Sequence, residues 1–426
     1  MENQSSNIEP KWLRKFLPIW VAQIFSLLGS GLVQFALVWW ITQETGSATM
    51  LTTATIVAIL PEIFLSPFAG AFVDRFNRRM VMIVADAFVA VVTLGLVLLF
   101  AFDLIQIWHI FVVIFLRDVG GIFHWTAMQT STALMVPDKH LSRVAGLNQA
   151  LRGGMNIIAP PLGALLMSLL QFYQVIAVDI VTAIIAITPL LFINIPQPVR
   201  TDAVDIVTPR TLMHDIAQGY RYLVNWKSML YLSLLAAVLN FMLAPASTLT
   251  PLVVTQHFGK GVWELSILES VMGIGIVIGG LGLGVWGGFK NKMTTSITGV
   301  IGLGLGVFIF GLAPANAFWL GAVGWALVGL MNPIANGPLQ AIMQSRIAPE
   351  MQGRVMGLTG SVCMMMMPIA LAISGPVAEH VGLRVWYWIG GGITMLVGAA
   401  IFFLPEVMAL GKARTEPTTA AAVVQA

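Results

Sequence analysis

From Ser228 to Thr255 the chain carries no charged side chain, and apolar runs of this length recur along almost the whole sequence. A helix needs about 20 apolar residues to cross a hydrocarbon core of roughly 30 Å. Lipid offers a bare backbone no hydrogen bonds, so only helices or closed barrels can span it. Barrel strands read as alternating segments of about ten residues. The run from Val81 to Ala101 is instead continuously apolar, broken by one charge, Asp86. The pattern predicts twelve spans, at 16–42, 48–72, 79–101, 105–135, 143–169, 173–194, 228–255, 263–288, 293–313, 317–343, 354–378 and 385–404. With 58% hydrophobic and only 10% charged residues, and a mean hydropathy of +0.87, the chain needs lipid as its solvent.

Charge placement predicts the orientation, because positively charged loops stay cytoplasmic. With both termini cytoplasmic, all but four of the 22 Lys and Arg fall on that side; Lys260 and Arg384 lie outside, and Arg117 and Arg152 lie within spans. The basic residues form no patch interleaved with aromatics, which argues against nucleic acid as a partner. A single cysteine, Cys363, excludes a disulfide within the chain and a cysteine-based metal cluster. The first apolar run lacks a small-residue cleavage site and reads as an uncleaved span.

Residues 195–227 are the longest polar interruption, opening with Pro196 and Pro198 and continuing as an amphipathic stretch through Leu212, Ile216, Tyr220 and Leu223. The expected organisation is a cytoplasmic tail (1–15), a six-helix bundle (16–194), this cytoplasmic linker (195–227), a second six-helix bundle (228–405) and a disordered cytoplasmic tail (406–426). The halves repeat: Gln129 and Gln340 are 211 residues apart, as are Arg143 and Arg354, each pair in matching stretches. The fold class expected is therefore an all-α membrane protein of two six-helix bundles with pseudo-two-fold symmetry, a transporter signature that places the substrate site at the bilayer midplane.

Between the second and third spans the sequence reads Gly70-Ala-Phe-Val-Asp74-Arg75-Phe-Asn-Arg78-Arg79. A carboxylate flanked by cations at a membrane face can form ion pairs and dock on a helix terminus, as a switchable lock. The bland alternative is that these charges only fix topology. In the second half Phe289-Lys-Asn-Lys292-Met293 echoes Phe76-Asn-Arg-Arg79-Met80, with Gly287 in the place of Asp74. The first of these segments resembles the cytoplasmic signature loop of the major facilitator superfamily. Arg117-Asp118-Val-Gly120-Gly121 resembles that superfamily's Arg-x-x-Gln-Gly element, with Gly120 in place of the Gln. The stretch from Gly154 through Pro160 and Pro161 to Gly163 resembles its antiporter motif, with Ala159 and Ala164 in place of two glycines.

Along nearly its whole length the chain is most like the macrolide-efflux and siderophore-exporter branch of the drug:proton antiporters. That resemblance implies export of small amphipathic molecules in exchange for an ion, in a bacterial-type plasma (inner) membrane, by a monomer. Siderophore or lysophospholipid-type cargo, and a non-transporting membrane sensor with the same fold, are the alternatives. In similar transporters the first, fourth, seventh and tenth helices line the cavity, which implies roles there for Gln34, Phe35, Trp39, Trp125, Gln129, Asn240, Phe241, Asn332 and Gln340.

Seven ionisable residues fall in spans: Glu62, Asp86, Arg117, Asp118, Arg152, Asp179 and Glu269. Each opposes insertion by roughly 3 kcal/mol at the bilayer centre, so pairing or neutralisation must offset the cost. Two arginines can satisfy at most two of five carboxylates one-to-one; the rest must face water or carry a proton. Glu62 ranks first for proton coupling because it lies twelve residues before Asp74, about 18 Å along a helix and hence near midplane. Asp118 and Asp179 follow. For Asp86 and Glu269 the alternative is hydration at an interface. His124, seven residues after Arg117 on the same face, either relays protons or bonds a neighbouring helix.

Gly282-Leu-Gly284-Val-Trp-Gly287 fits a dinucleotide pattern but has no preceding strand. With Gly275, Gly279, Gly280 and Gly288 it reads as small residues permitting close helix contact. Met364 to Met367 either line an adaptable cavity or simply pack. The sequence contains no Walker loop, metal-ligand cluster or nucleophile constellation. No cofactor, no metal and no enzymatic activity are expected; the energy must come from an ion gradient.

Overall fold

The structure, a computed structural model, describes residues 9–197, 218 and 220–412. Most of the linker, including Leu212 and Ile216, lies outside the described residues, as do the termini. Among the described residues there are twelve helices of 19 residues or more. They are α1 (Glu9–Thr45), α2 (Ala48–Arg75), α3 (Arg78–Ala101), α4 (Ile107–Met135), α5 (Asp138–Leu169), α6 (Phe172–Phe192), α7 (Lys227–Leu252), α8 (Val262–Trp286), α9 (Lys292–Leu312), α10 (Phe318–Arg346), α11 (Pro349–Val381) and α12 (Leu383–Ile401). A five-residue π turn, Val253–His257, extends α7.

Ten of the twelve are long and apolar enough to cross a membrane. The two that are not are α5 and α12. The first opens with Asp138, Lys139, His140 and Arg143, and the second has only 19 residues, among them Arg384, Trp386, Tyr387, Trp388 and three consecutive glycines. Several helices start before or end beyond the apolar runs, because a helix need not stop where lipid does.

The chain divides into two compact units. The first comprises α1–α6 with Lys260–Ser270; in it α1 packs on α6 and α5, α3 on α4 and α6, and α2 on α4. The second holds α7, the rest of α8 and everything beyond; α9 packs on α10 and α12, and α7 on α11 and α12. Each unit has a buried apolar cluster beside its interhelical turn, and the internal repeat is visible there. Val144, next to Arg143, is buried with Val73, Met82 and Leu190. Val355, next to Arg354, is buried with Met229, Met293 and Ile342. The outer faces stay apolar: Val285 is 93% and Phe192 82% exposed, as lipid-facing residues must be.

A short helix, α13 (Pro405–Leu410), stands where the sequence pattern predicts a disordered tail from 406. Its Pro405 occupies the first turn, where a missing N–H costs nothing. Val407 and Leu410 are buried, and Asn291 Nδ2 donates to the Met408 carbonyl at 3.0 Å. Packing thus orders a hexapeptide whose own helix propensity is marginal.

The glycines of α8 behave in two ways. A Cβ at Gly279 would lie 2.1 Å from the Leu330 carbonyl oxygen, and one at Gly275 2.7 Å from that of Ala326, both on α10. At Gly282 and Gly284 a Cβ would meet nothing within 4 Å. Small residues are therefore required on one stretch of the stripe only. Gly279→Val should destabilise the protein by about 3 kcal/mol or more, read as a lowered thermal-unfolding midpoint in detergent, whereas Gly282→Val should leave the midpoint near wild type.

Candidate substrate and ion cavity

The signature loop is built from helix ends. Ser47 and Asn77 cap α2 and α3 by accepting from the backbone N–H of Met50 and Met80. Asp74, on the last turn of α2, receives Arg78 Nη2 at 2.8 Å, an i,i+4 ion pair that bridges the turn. Arg79 reaches α6 instead. Its Nε–H donates to the Leu190 carbonyl, its Nη2 to that of Leu191 at 2.5 Å and its Nη1 to Asn194 Oδ1 at 2.6 Å. The last carbonyls of a helix lack intrahelical partners and carry the negative end of its dipole, so a guanidinium satisfies both.

Arg75 is exposed. Gly70 has open space around its Cβ position. In the second unit Asn291 caps α9 as Asn77 caps α3. Gly287, which stands where Asp74 would be, has φ +74. That left-handed conformation is strained for most side chains, so the turn after α8 has exchanged a charge for chain reversal.

Deeper in the first unit, four helices meet at Asp179, which is 2% exposed. Asp179 Oδ2 accepts from Arg117 Nη1 at 2.5 Å and from Thr93 Oγ1 at 3.1 Å, and Oδ1 accepts from Ser30 Oγ at 3.2 Å. Arg117 Nη1 also donates to Thr93 Oγ1. α1, α3, α4 and α6 each supply one member. The close approach of α1 to α6 depends on Gly29, where a Cβ would lie 2.1 Å from Thr182 Oγ1 and 3.1 Å from Asp179 Cα.

This network borders a cavity of about 360 Å³ lined also by Ser26, Gln34, Asp86, Asp118, His124 and Trp125. Asp86, 6% exposed, faces His124, with Oδ2 to Nε2 at 3.5 Å. Asp118 lies close enough to Arg117 for attraction and to Glu62 of α2 for repulsion. Glu62 itself is exposed.

The seven intramembrane candidates are thus sorted. Asp179 takes Arg117, Asp86 pairs with His124 rather than sitting hydrated at an interface, and Glu62 lies near enough to Asp118 to repel it. Glu269 of α8 is half-buried, with no ion pair or hydrogen bond among the described residues. The side chain of Arg152 lies outside the described residues.

The expected cavity residues divide. Gln34 and Trp125 line this cavity. Phe35 does not: it is buried against Gly163, where a Cβ would lie 2.8 Å from its ring. Gln129 is exposed and lines neither cavity described here. In the second unit a cavity of about 260 Å³ takes Asn240 and Asn332 as expected, adds Asn336, Ser247 and Trp325, and has no charged side chain on its wall. Of the four methionines 364–367, Met367 lines it. Phe241 packs on Trp386 at a centroid distance of 6.4 Å, and Gln340 is exposed; neither lines that cavity. Ser30 and Thr93 are hydrogen-bond partners of Asp179 with no sequence signal, since hydroxyls are common in apolar helices and usually bond their own backbone.

The antiporter-like stretch shows the same bookkeeping of polar groups. Pro161 has no N–H, so the carbonyl of Ile157 four residues earlier loses its helical donor. Ser270 Oγ, at the α8 end of the same unit, donates to it at 3.1 Å. Ala159, in place of a glycine, packs on Gly31, whose own Cβ position is 3.2 Å away. The small residue has moved to the opposite helix.

Removing one member of a buried ion pair strands the other and costs about 3–5 kcal/mol. Arg117→Met should therefore lower the thermal midpoint of the purified protein sharply, and Arg117→Met/Asp179→Leu should recover most of the loss. An additive double variant would show the pair to be uncoupled.

Comparison with known proteins agrees with this architecture. The sequence pattern of the Major Facilitator Superfamily matches residues 19–371. Macrolide efflux protein A of Streptococcus pyogenes is 31% identical over 399 residues, covering 94% of this chain and 98% of the relative. The multidrug efflux pump Tap of Mycobacterium tuberculosis (strain ATCC 25618 / H37Rv) is 27% identical, covering 89% and 90%. Among solved structures, a variant of the nucleoside transporter NupG superposes with a TM-score of 0.70 at 14% identity, over 93% of this chain and 99% of that one. A bacterial homologue of the human lysosomal transporter Spinster gives 0.65 at 12% identity, over 96% and 99%. Ten apolar helices long enough to span a bilayer, a buried ion-paired cavity, and a family match across most of its length lead to one conclusion: this multi-pass membrane chain belongs to the major facilitator superfamily and is a transporter, not an enzyme.

Proposed function

We propose that the protein exports small amphipathic molecules of the macrolide or drug type in exchange for protons, by alternating access. The efflux relatives supply the cargo class and the direction. The observation that carries the coupling is the cavity of the first unit, where three carboxylates, Asp86, Asp118 and Asp179, share a wall with one arginine, Arg117, among the described residues. Arg117 is committed to Asp179. Asp118 is left without a cation of its own and near enough to Glu62 to be repelled by it, which makes these two the candidate coupling carboxylates.

A proton on this couple removes a charge that opposes one conformation more than the other. That difference is all that gradient coupling requires. The neutral second-unit cavity, with its amides, Trp325 and Met367, suits a bulky uncharged portion of such cargo. On this reading the twelve long helices form two six-helix bundles with both termini cytoplasmic, in the inner membrane of a bacterial cell. Asp74, Arg78 and Arg79 then hold the cytoplasmic gate, with Arg75 and Gly70 in the same loop, and Gly154, Pro160, Pro161 and Gly163 shape the exchange pathway.

The test is transport of a labelled macrolide into everted vesicles. With an imposed pH gradient, Glu62→Gln and Asp118→Asn should each abolish concentrative uptake while cargo exchange across the membrane continues without the gradient. Undiminished gradient-driven uptake in both variants would remove this couple from the mechanism. Transport of cationic, acidic and zwitterionic probes in the same vesicles would identify siderophore-like or lysophospholipid-like cargo if the macrolide fails.

A further inference from the structure

We infer that Asp86 and His124 form a second proton-binding site, a carboxylate–imidazole pair that takes up one proton as a unit and is tied mechanically to the Arg117–Asp179 pair. As an element of coupling it rests on the exporter reading; as a proton site it stands by itself.

The two pairs share one helix interface. α3 and α4 are consecutive helices packed against each other. Asp86 and Thr93 are seven residues apart on α3, and so are Arg117 and His124 on α4. Seven residues are two turns, about 10.5 Å. The interface therefore carries two polar rungs two turns apart, Thr93–Arg117 and Asp86–His124. Between them Gly120 brings the helices together, since a Cβ there would lie 2.6 Å from Val89 Cγ2. Val89 packs directly on the Gly120 backbone, with no side chain from α4 interposed, so a shift at one rung is transmitted to the other through close-packed contact.

The lower rung is incompletely bonded. Asp86 Oδ2 and His124 Nε2 face each other at 3.5 Å, both sealed from solvent, and neither has a hydrogen-bond partner among the described residues. Gln23 of α1, fully buried, stands near enough to Asp86 to interact, yet neither of its amide atoms achieves hydrogen-bond geometry. Three buried polar side chains at one edge of the cavity, all short of bonds, describe a site that can accept a donor. A proton on the imidazole supplies it: Nε2–H then donates to the carboxylate, and charge-assisted bonds of this type close to about 2.8 Å. The proton is held between the two groups, no other bond breaks, and the pair passes from net negative to neutral.

The charged surroundings favour such uptake. Asp179 on α6 acts on Asp86 electrostatically, but its own charge is matched by Arg117. On α4, Asp118 lines the same cavity, and on α2 Glu62 adds a further negative charge beside it. α1 contributes only the neutral Ser26, Ser30, Gln34 and Gln23. Both Asp86 and His124 line the cavity, which gives the proton a route.

The experiment is a ring-nitrogen NMR titration of the purified full-length protein labelled at histidine, with the His124 signal identified by its loss in His124→Gln. The His124 signal should titrate in wild type. In Asp86→Asn its midpoint should be displaced by about one pH unit or more, and Glu62→Gln, which removes a more distant charge, should displace it by less. A His124 signal that does not respond between pH 5 and 9, or one whose midpoint is the same in wild type and Asp86→Asn, would overturn the proposal. Should Asp86→Asn fail to fold, Asp86→Ser, which also removes the charge and leaves a smaller polar group, replaces it: a displaced midpoint supports the pair and an unmoved one overturns it. Because no cargo is present, this titration is decided separately from the export assay.

Discussion

The polar groups that line the first unit's cavity are arranged around the ion pair between Arg117 and Asp179. Two bare charges in a medium without water would oppose folding by several kcal/mol each. Their attraction offsets that only when the geometry is good and the remaining lone pairs are filled, which is why Thr93 and Ser30 are present. A pair that draws on α1, α3, α4 and α6 constrains four helices at once. It also bears on the other acids: with Arg117 committed to Asp179, Asp86 is left facing a histidine and Asp118 a second carboxylate within range. Among the described residues the cavity wall thus divides into a satisfied pair and two carboxylates without a cation of their own.

The departures from the family's motifs make physical sense once neighbours are visible. Where a Gln is usual after Arg117, this chain has Gly120, and α3 sits so close at Val89 that no side chain fits. Where glycine is usual at 159, this chain has alanine, and Gly31 on α1 supplies the space. Where the second half would repeat Asp74, Gly287 turns the chain through a conformation that disfavours a carboxylate. In each case a local constraint has displaced the usual residue.

Much of this was legible from residue order alone. Runs of apolar residues without charges located the long helices, because the hydrogen-bond demand of a buried backbone leaves few other solutions. The cost of burying charge marked Arg117 and Asp179 among seven residues in need of partners, but not which of the five carboxylates the arginine would take. What could not be read was which face of a helix points where. A helix that is apolar all round has no polar side to mark the exterior, so Phe35, assigned to a cavity, is instead packed on Gly163, and Gln129 and Gln340 are exposed. Thr93 and Ser30 were invisible for a related reason: a hydroxyl in a helix usually bonds its own backbone, and only the approach of another helix gives it a second role. The helix at Pro405–Leu410 escaped notice because its order comes from burial of Val407 and Leu410.

The antiporter-like stretch extends the same logic from side chains to the backbone. Two consecutive prolines in α5 remove two N–H donors, and in lipid a freed carbonyl has no water to turn to. Ser270 on α8 answers the carbonyl of Ile157, so an intrahelical bond has been exchanged for a contact between helices. Such a bond differs from the one it replaces. A hydrogen bond within a helix survives any rigid movement of that helix, whereas one between helices is made or broken when they slide. Proline at this position thus converts part of the backbone's obligatory bonding into a contact sensitive to conformation, as Gly120 makes the spacing of α3 and α4 sensitive to the rungs on either side. Under the alternating access proposed above, polar groups have to stay satisfied in more than one arrangement, and bonds placed between helices rather than inside them would allow the satisfaction to change hands.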